Sequence, residues 1–99
     1  MVTEHAVLQV RSGKELEFET AMHQAKPLIS ASPGFIDIKV LKSAQGNSDY
    51  LLLVRWNSIA DHQDGFRKSD RYQQWRALLH PFYDPMPQVS YFEEMSFDV

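Results

Sequence analysis

The sequence predicts an α+β domain in which a four-stranded antiparallel sheet carries its helices on one face. Three observations predict it. Segments of alternating or continuous apolar character, bounded by turn-forming residues, recur at Val2–Val10, Phe35–Leu41, Tyr50–Trp56 and Val89–Met95. Apolar residues with helical period fill the interval between the first two, and an aromatic-rich helical pattern separates the last two. The second and third segments are joined by a short polar loop, Ser43–Asp49, which marks an antiparallel hairpin. With 99 residues the chain forms one domain, 1–99, able to bury a modest single core.

In the first strand Ala6, Leu8 and Val10 fall on one side and Thr3, His5, Val7 and Gln9 on the other. Ser12-Gly13-Lys14-Glu15 then fits a capping box, with the Ser side chain accepting from a free N–H and Glu returning the bond. The helix that follows carries Phe18, Ala21, Met22, Ala25, Leu28 and Ile29 as one stripe, and Pro27 kinks it or marks its last turns. Ser32-Pro33-Gly34 breaks the helical pattern. In the second strand Ile36, Ile38 and Val40 share a face against Asp37 and Lys39.

The third strand is apolar on both sides: Tyr50, Leu52, Val54 and Trp56 point one way, Leu51, Leu53 and Arg55 the other. Ser58, with Asp61 three residues on, starts a second helix anchored by Phe66, with Ile59 near its start. Ser69-Asp70 is a fresh cap, and the helix beyond it presents Tyr72, Trp75 and Leu79 on one face with Leu78 beside them. Pro81 ends that helix, and Pro85 and Pro87 keep the connection extended. In the last strand Val89, Tyr91 and Met95 alternate against Ser90 and Glu94.

The order β-α-β-β-α-β is the split βαβ, ferredoxin-like arrangement, and right-handed crossovers place both helical layers on one face of the sheet. The other face is then bare, although a half-solvated strand should alternate apolar with polar residues. Leaving the outer side of Tyr50–Trp56 in water forgoes several kcal/mol at roughly 25 cal/mol per Å² of apolar surface. A two-fold homodimer through the sheet face covers it. A monomer with a few exposed apolar side chains is the plainer alternative.

Composition excludes several functions. A formal charge of −3 and scattered Lys and Arg give no phosphate-binding face, so no nucleic-acid partner is expected. The absence of cysteine removes thiol catalysis, disulfides and Cys-based metal sites. No metal is expected, because His62 has only Asp61 and Asp64 as neighbours and no His-Glu-x-x-His occurs. No Gly-rich phosphate loop and no Gly-x-Ser-x-Gly nucleophile motif is present. No basic-then-apolar leader opens the chain and no apolar run approaches the roughly 20 residues of a membrane span, so the expectation is a cytoplasmic protein without a membrane partner.

Ser32-Pro33-Gly34-Phe35, the strand Tyr50-Leu51-Leu52-Leu53-Val54-Arg55-Trp56, the helix start after it, and Phe66-Arg67-Lys68-Ser69-Asp70-Arg71-Tyr72 together resemble the antibiotic biosynthesis monooxygenase domain family over roughly residues 2–93. The stretch from Trp75 to Pro85 resembles a branch of small bacterial members known mostly by the domain alone. The resemblance implies a dimeric α+β barrel. It also implies oxygen insertion into aromatic polyketides or quinols without metal or flavin, or oxidative haem breakdown. Haem-degrading members share an Asn on the first strand, a Trp on the second helical segment and a haem-ligating His on the next helix. Here His5, Gly65 or Phe66, and Trp75 or Arg76 occupy those places, so haem degradation is not expected.

Cofactor-free oxygenation asks for an apolar pocket, a base and hydrogen bonds to a substrate anion. Histidine is the natural base, since its ordinary pKa lies near neutrality. His62 and His80 are the catalytic candidates because both lie in the aromatic-rich half; each also has a plainer reading, as a surface histidine and as a helix-end cap respectively. His62 shares a helical face with Phe66. Phe66, Tyr72, Trp75, Arg76 and Tyr83 are candidate substrate-binding residues, with Trp75 equally suited to core packing. Asp84 either orients His80 or serves the turn before Pro85, and His5 faces either the helices or the dimer layer. The functional expectation is a cofactor-independent monooxygenase acting on a quinol, phenol or polycyclic aromatic. The alternative is a non-catalytic dimeric protein that binds a small ligand in the same fold.

Overall fold

The computed structural model describes residues 1–98. Its elements are β1 (Val2–Gln9), α1 (Glu15–Ser30), β2 (Phe35–Lys42), β3 (Asp49–Trp56), a π-helical segment (Asp61–Phe66), α2 (Asp70–Leu79), a 3₁₀ turn (His80–Phe82) and β4 (Ser90–Phe92). The strands form one antiparallel sheet in the order β2-β3-β1-β4, and both helices pack on one side of it, which is the ferredoxin-like α+β arrangement.

Register builds the core. Opposing pairs Glu4–Val54, Ala6–Leu52 and Leu8–Tyr50 put the inner residues of β1 against those of β3 at the centre of the sheet. The α1 stripe of Phe18, Ala21, Met22, Ala25 and Ile29 is buried on this face, as are Trp75 and Leu79 of α2. Trp56, Phe18, Phe66, Leu8, Ile29, Leu79 and Val54 are the largest fully buried side chains. Truncating any one to Ala removes transfer energy and leaves a cavity, a cost of about 2–5 kcal/mol.

Several local expectations change. The Ser12–Glu15 capping box does not form: α1 begins after Lys14 without a side-chain cap, and Glu15 Oε1 accepts instead from Gly13 N and from Ser48 Oγ, each at 2.8 Å. Ile36 leaves the face it was expected to share with Ile38 and Val40. A bulge between Phe35 and Asp37 shifts the register by one residue, so Phe35 opposes Trp56 on the core side and Ile36 turns outward. The helix after Ser58 tightens into a cap as expected, with Asp61 N donating to Ser58 Oγ at 3.2 Å, but then widens into a π turn. The fourth strand is shorter than expected, only Ser90–Phe92.

The outer face of the sheet carries no helix. Val7, Leu41 and Phe92 are 41%, 49% and 56% exposed there, beside half-buried Leu51 and Leu53. Arg55 pairs with Asp37 on the same face. At the far end of β1, Arg11 N donates to Phe82 O at 2.8 Å, Arg11 Nε to Pro81 O at 3.1 Å and Asp84 N to Gln9 O at 3.2 Å. These bonds, with a bridge between Val10 and Tyr83, tie the turn after α2 to the sheet.

Gly34 fixes the opposite end. It sits at φ +86°, its carbonyl accepts from Asn57 N at 2.8 Å, and a Cβ built on it would lie 2.2 Å from Asp61 Cγ. Gly34→Ala is therefore expected to cost at least about 1–3 kcal/mol from backbone strain, plus displacement of the Asp61 cap. An unchanged denaturant midpoint would count against this role for the glycine.

Candidate functional site

A cavity of about 110 Å³ lies between the inner face of β1 and β3 and a wall made by the π-helical segment, α2 and the turn beyond it. Ala6, Leu8, Leu52 and Ile29 form its apolar floor, and Phe66, Tyr72, Trp75 and Tyr83 its aromatic side. Local sequence explains the wall. Arg67 N donates to His62 O across five residues at 2.9 Å, the bond that defines a π turn and a feature frequent at functional sites. His62 and Phe66 both face inward as a result. Ser69 then caps α2, accepting from Tyr72 N at 3.3 Å and donating to Phe66 O at 2.6 Å, so Tyr72 and Trp75 continue the same wall.

The polar part of the cavity is a buried network centred on Glu4, which is only 4% exposed. Trp56 Nε1 donates to Glu4 Oε1 at 2.9 Å, and His62 Nε2 faces the same oxygen at 3.4 Å. On the other side of the ring, His62 Nδ1 and the Tyr91 hydroxyl are 2.5 Å apart. Burial pushes the Glu4 carboxyl up to about 7, against the opposing pull of the Trp56 bond and Arg67. Burial, helped by Arg67, lowers His62 to about 4. Near neutral pH the imidazole is therefore neutral and the carboxyl half-protonated, so the contact is not an ion pair. A neutral His62 with Nε2–H toward Glu4 avoids opposing lone pairs and leaves Nδ1 to accept from Tyr91.

The sequence pattern of antibiotic biosynthesis monooxygenases matches residues 1–78. The chain belongs to that family. The Bacillus subtilis (strain 168) protein YczJ, itself uncharacterised, is 46% identical over 95 residues, which cover 96% of this chain and all of that one. A family protein from Bordetella bronchiseptica superposes with a TM-score of 0.91 at 29% identity, covering 96% of this chain and 97% of its own. SnoaB, a cofactor-independent oxygenase from Streptomyces nogalater, shares the fold with a TM-score of 0.83 at 15% identity, over 98% of this chain and 95% of its own.

Of the residues singled out in the sequence, the fold brings His62, Phe66, Tyr72, Trp75, His80 and Tyr83 to this one cavity. His80 is half-buried, with its ring 5.6 Å from Tyr83 and 6.3 Å from Tyr72, and burial, then Arg76 and Arg67, lower its pKa. Three residues lie elsewhere. Arg76 is exposed on α2 outside the cavity lining. Asp84 is exposed, and its hydrogen bond is a backbone one to β1 rather than to His80. His5 points to the bare face, edge-on to Phe92 at 5.5 Å. Among the described residues, no group of three or more His, Cys, Asp or Glu is placed to hold a metal, and no helix is long and apolar enough to cross a membrane.

Glu4, Arg67 and Tyr91 were not singled out in the sequence. Glu4 had a legible signal, a carboxylate in step with Ala6 and Leu8 on the inward side of a strand. Its burial is testable through stability. The folded-state pKa of about 7 exceeds the ordinary 4.5, so the Glu4 contribution is fully present below pH 4.5 and lost as pH rises through 7. Glu4→Gln, which stays neutral, is expected to gain about 3 kcal/mol over wild type between pH 4 and pH 8. A pH-independent difference in unfolding free energy would contradict the burial of an ionisable Glu4.

Proposed function

We propose that this protein is a cofactor-independent monooxygenase that oxidises a small phenol or quinol in the cavity, with His80 as the base. The observation that carries the reading is the His80 imidazole itself. It lines an aromatic cavity, its ring nitrogens have no hydrogen-bond partner among the described residues, and its lowered pKa keeps it neutral at physiological pH. His62 lines the same cavity but spends both nitrogens on Tyr91 and Glu4, which suits it to a supporting part. Arg67, whose guanidinium sits 5.7 Å from the Tyr72 ring centroid, supplies a positive charge for a substrate oxyanion. SnoaB, a cofactor-independent oxygenase on the same fold, is in keeping with this chemistry.

Volume narrows the substrate. A cavity of about 110 Å³ is smaller than the ~150 Å³ apolar cavity that holds benzene, so one ring at most is accommodated, with some outward movement of the wall. This favours a monocyclic quinol over a polycyclic aromatic. For such a quinol, one O₂ converts a ring C–H to C–OH and the diol to the dione, giving a hydroxyquinone and one water. The same small volume is what favours the alternative reading, a non-catalytic protein that binds one small ring.

Oxygen uptake with monocyclic hydroquinones separates the two. Wild type is expected to consume oxygen and form hydroxyquinone, with His80→Ala lowering kcat by roughly 10²–10⁴-fold. Saturable binding without oxygen uptake would establish the alternative instead.

We also propose that the chain works as a homodimer through its bare sheet face, on which Val7, Leu41, Leu51, Leu53 and Phe92 are apolar and uncovered. Covering such a face lies within the ~800 Å² per partner of a standard interface. Leu53→Asp is expected to yield a folded monomer in sedimentation velocity. A monomeric wild-type protein in the same experiment would sink the dimer.

A further inference from the structure

The base removes protons, yet loss of water from a ring peroxide also needs a group that gives one. We propose that Glu4 is that general acid, positioned by Trp56 and by the His62–Tyr91 pair. This rests on the oxygenase reading above.

The geometry assigns the proton to one oxygen. Glu4 Oε1 is committed as an acceptor, because the Trp56 indole can only donate and His62 Nε2 faces the same atom. Oε2 has no hydrogen-bond partner among the described residues and belongs to a side chain that lines the cavity, so a carboxyl proton placed there is presented to a bound molecule. The Tyr91 hydroxyl at Nδ1 fixes the imidazole tautomer that supports this arrangement. The titratable and charged groups around Glu4 come from every neighbouring element: His62 and Arg67 from the π-helical segment and its end, Tyr91 from β4 and Tyr83 from beyond the turn after α2, with His80 lining the same cavity.

The proton balance closes over one turnover. His80 takes the phenolic proton, O₂ adds to the ring carbon, and the proton returns to the distal peroxide oxygen. His80 then takes the ring C–H proton as the C=O forms and the O–O bond breaks. Glu4 gives its Oε2 proton to the departing hydroxide, which leaves as water. Transfer of the proton from His80 to Glu4 restores both groups. Two titratable groups held in opposite protonation states, one a neutral base and one a neutral acid, share a single cavity.

The test uses Glu4→Gln and Trp56→Phe in the full chain, with a monocyclic hydroquinone as probe. Wild-type kcat is expected to fall at high pH as Glu4 ionises. Glu4→Gln should lower kcat about 10²-fold and abolish that basic limb, while the bound phenol still ionises as judged by its absorption. Trp56→Phe removes the bond that favours the carboxylate, so its basic limb should move to higher pH. Wild-type kcat and an unshifted basic limb in both variants would overturn the role of Glu4 and leave His80 standing. Absence of oxygen uptake in wild type would overturn the oxygenase reading, and this inference with it.

Discussion

A single indole N–H organises much of this molecule. Trp56 is fully buried, and a buried indole N–H left unpaired costs about 1–3 kcal/mol. Its acceptor is Glu4, which pairs across the sheet with Val54 and so lies diagonally from Trp56 on the inner face. The bond is thus a property of register. A slip of one residue between β1 and β3 would turn one of the two side chains to the outer face and leave the other without its partner. Three rings from two other segments gather on the same indole: Phe35 of β2 edge-on at 5.9 Å, and His62 and Phe66 of the π-helical segment tilted at 5.4 Å and 6.1 Å. Strand pairing, the bulge at Phe35 and the inward turn of the π-helical segment all meet at this residue.

Satisfying the indole places a carboxyl where a charge is expensive. The protein meets that cost by letting the group hold its proton to near neutrality and by setting an uncharged imidazole beside it. Arg67 acts on both, favouring the ionised carboxyl and disfavouring the imidazolium. The cavity thereby contains a carboxyl that titrates near physiological pH beside an uncharged imidazole, without a fixed buried ion pair. It is a polar device inside an apolar shell, rigid because its members belong to three strands and a helical wall.

The fold was largely legible because its signals are periodic. The α1 stripe, the Ser69 cap and the two-sided apolar character of β3 all survive in the structure. What escaped depends on single residues. The bulge at Ile36 follows from fitting β2 to Trp56, which alternation within β2 cannot reveal. The Ser12 cap lost to a competing bond from Gly13 to Glu15. Most of the cavity wall was visible as a cluster of aromatic and histidine residues on one helical face. Arg76 was singled out and lies outside the cavity, whereas Arg67, which was not, lines it at the end of the π-helical segment. Glu4 and Tyr91 are far apart in the chain, and only the pairing of β1 with β4 makes them neighbours.

The bonds from Gln9, Val10 and Arg11 to the turn after α2 have a consequence for how the family could diversify. The chain between Tyr83 and Ser90 is anchored to β1 at both ends, by the bridge to Val10 and by the pairing of Ser90 with His5. Between those anchors it forms a handle that contributes Pro87 and Val89 to the cavity and makes no strand of its own. Residues added to the handle would enlarge the chamber while leaving the sheet, the indole and the buried carboxyl untouched. Chamber size and the buried polar network are therefore separable traits in this fold, one written in the length of a tether and the other in the register of the strands.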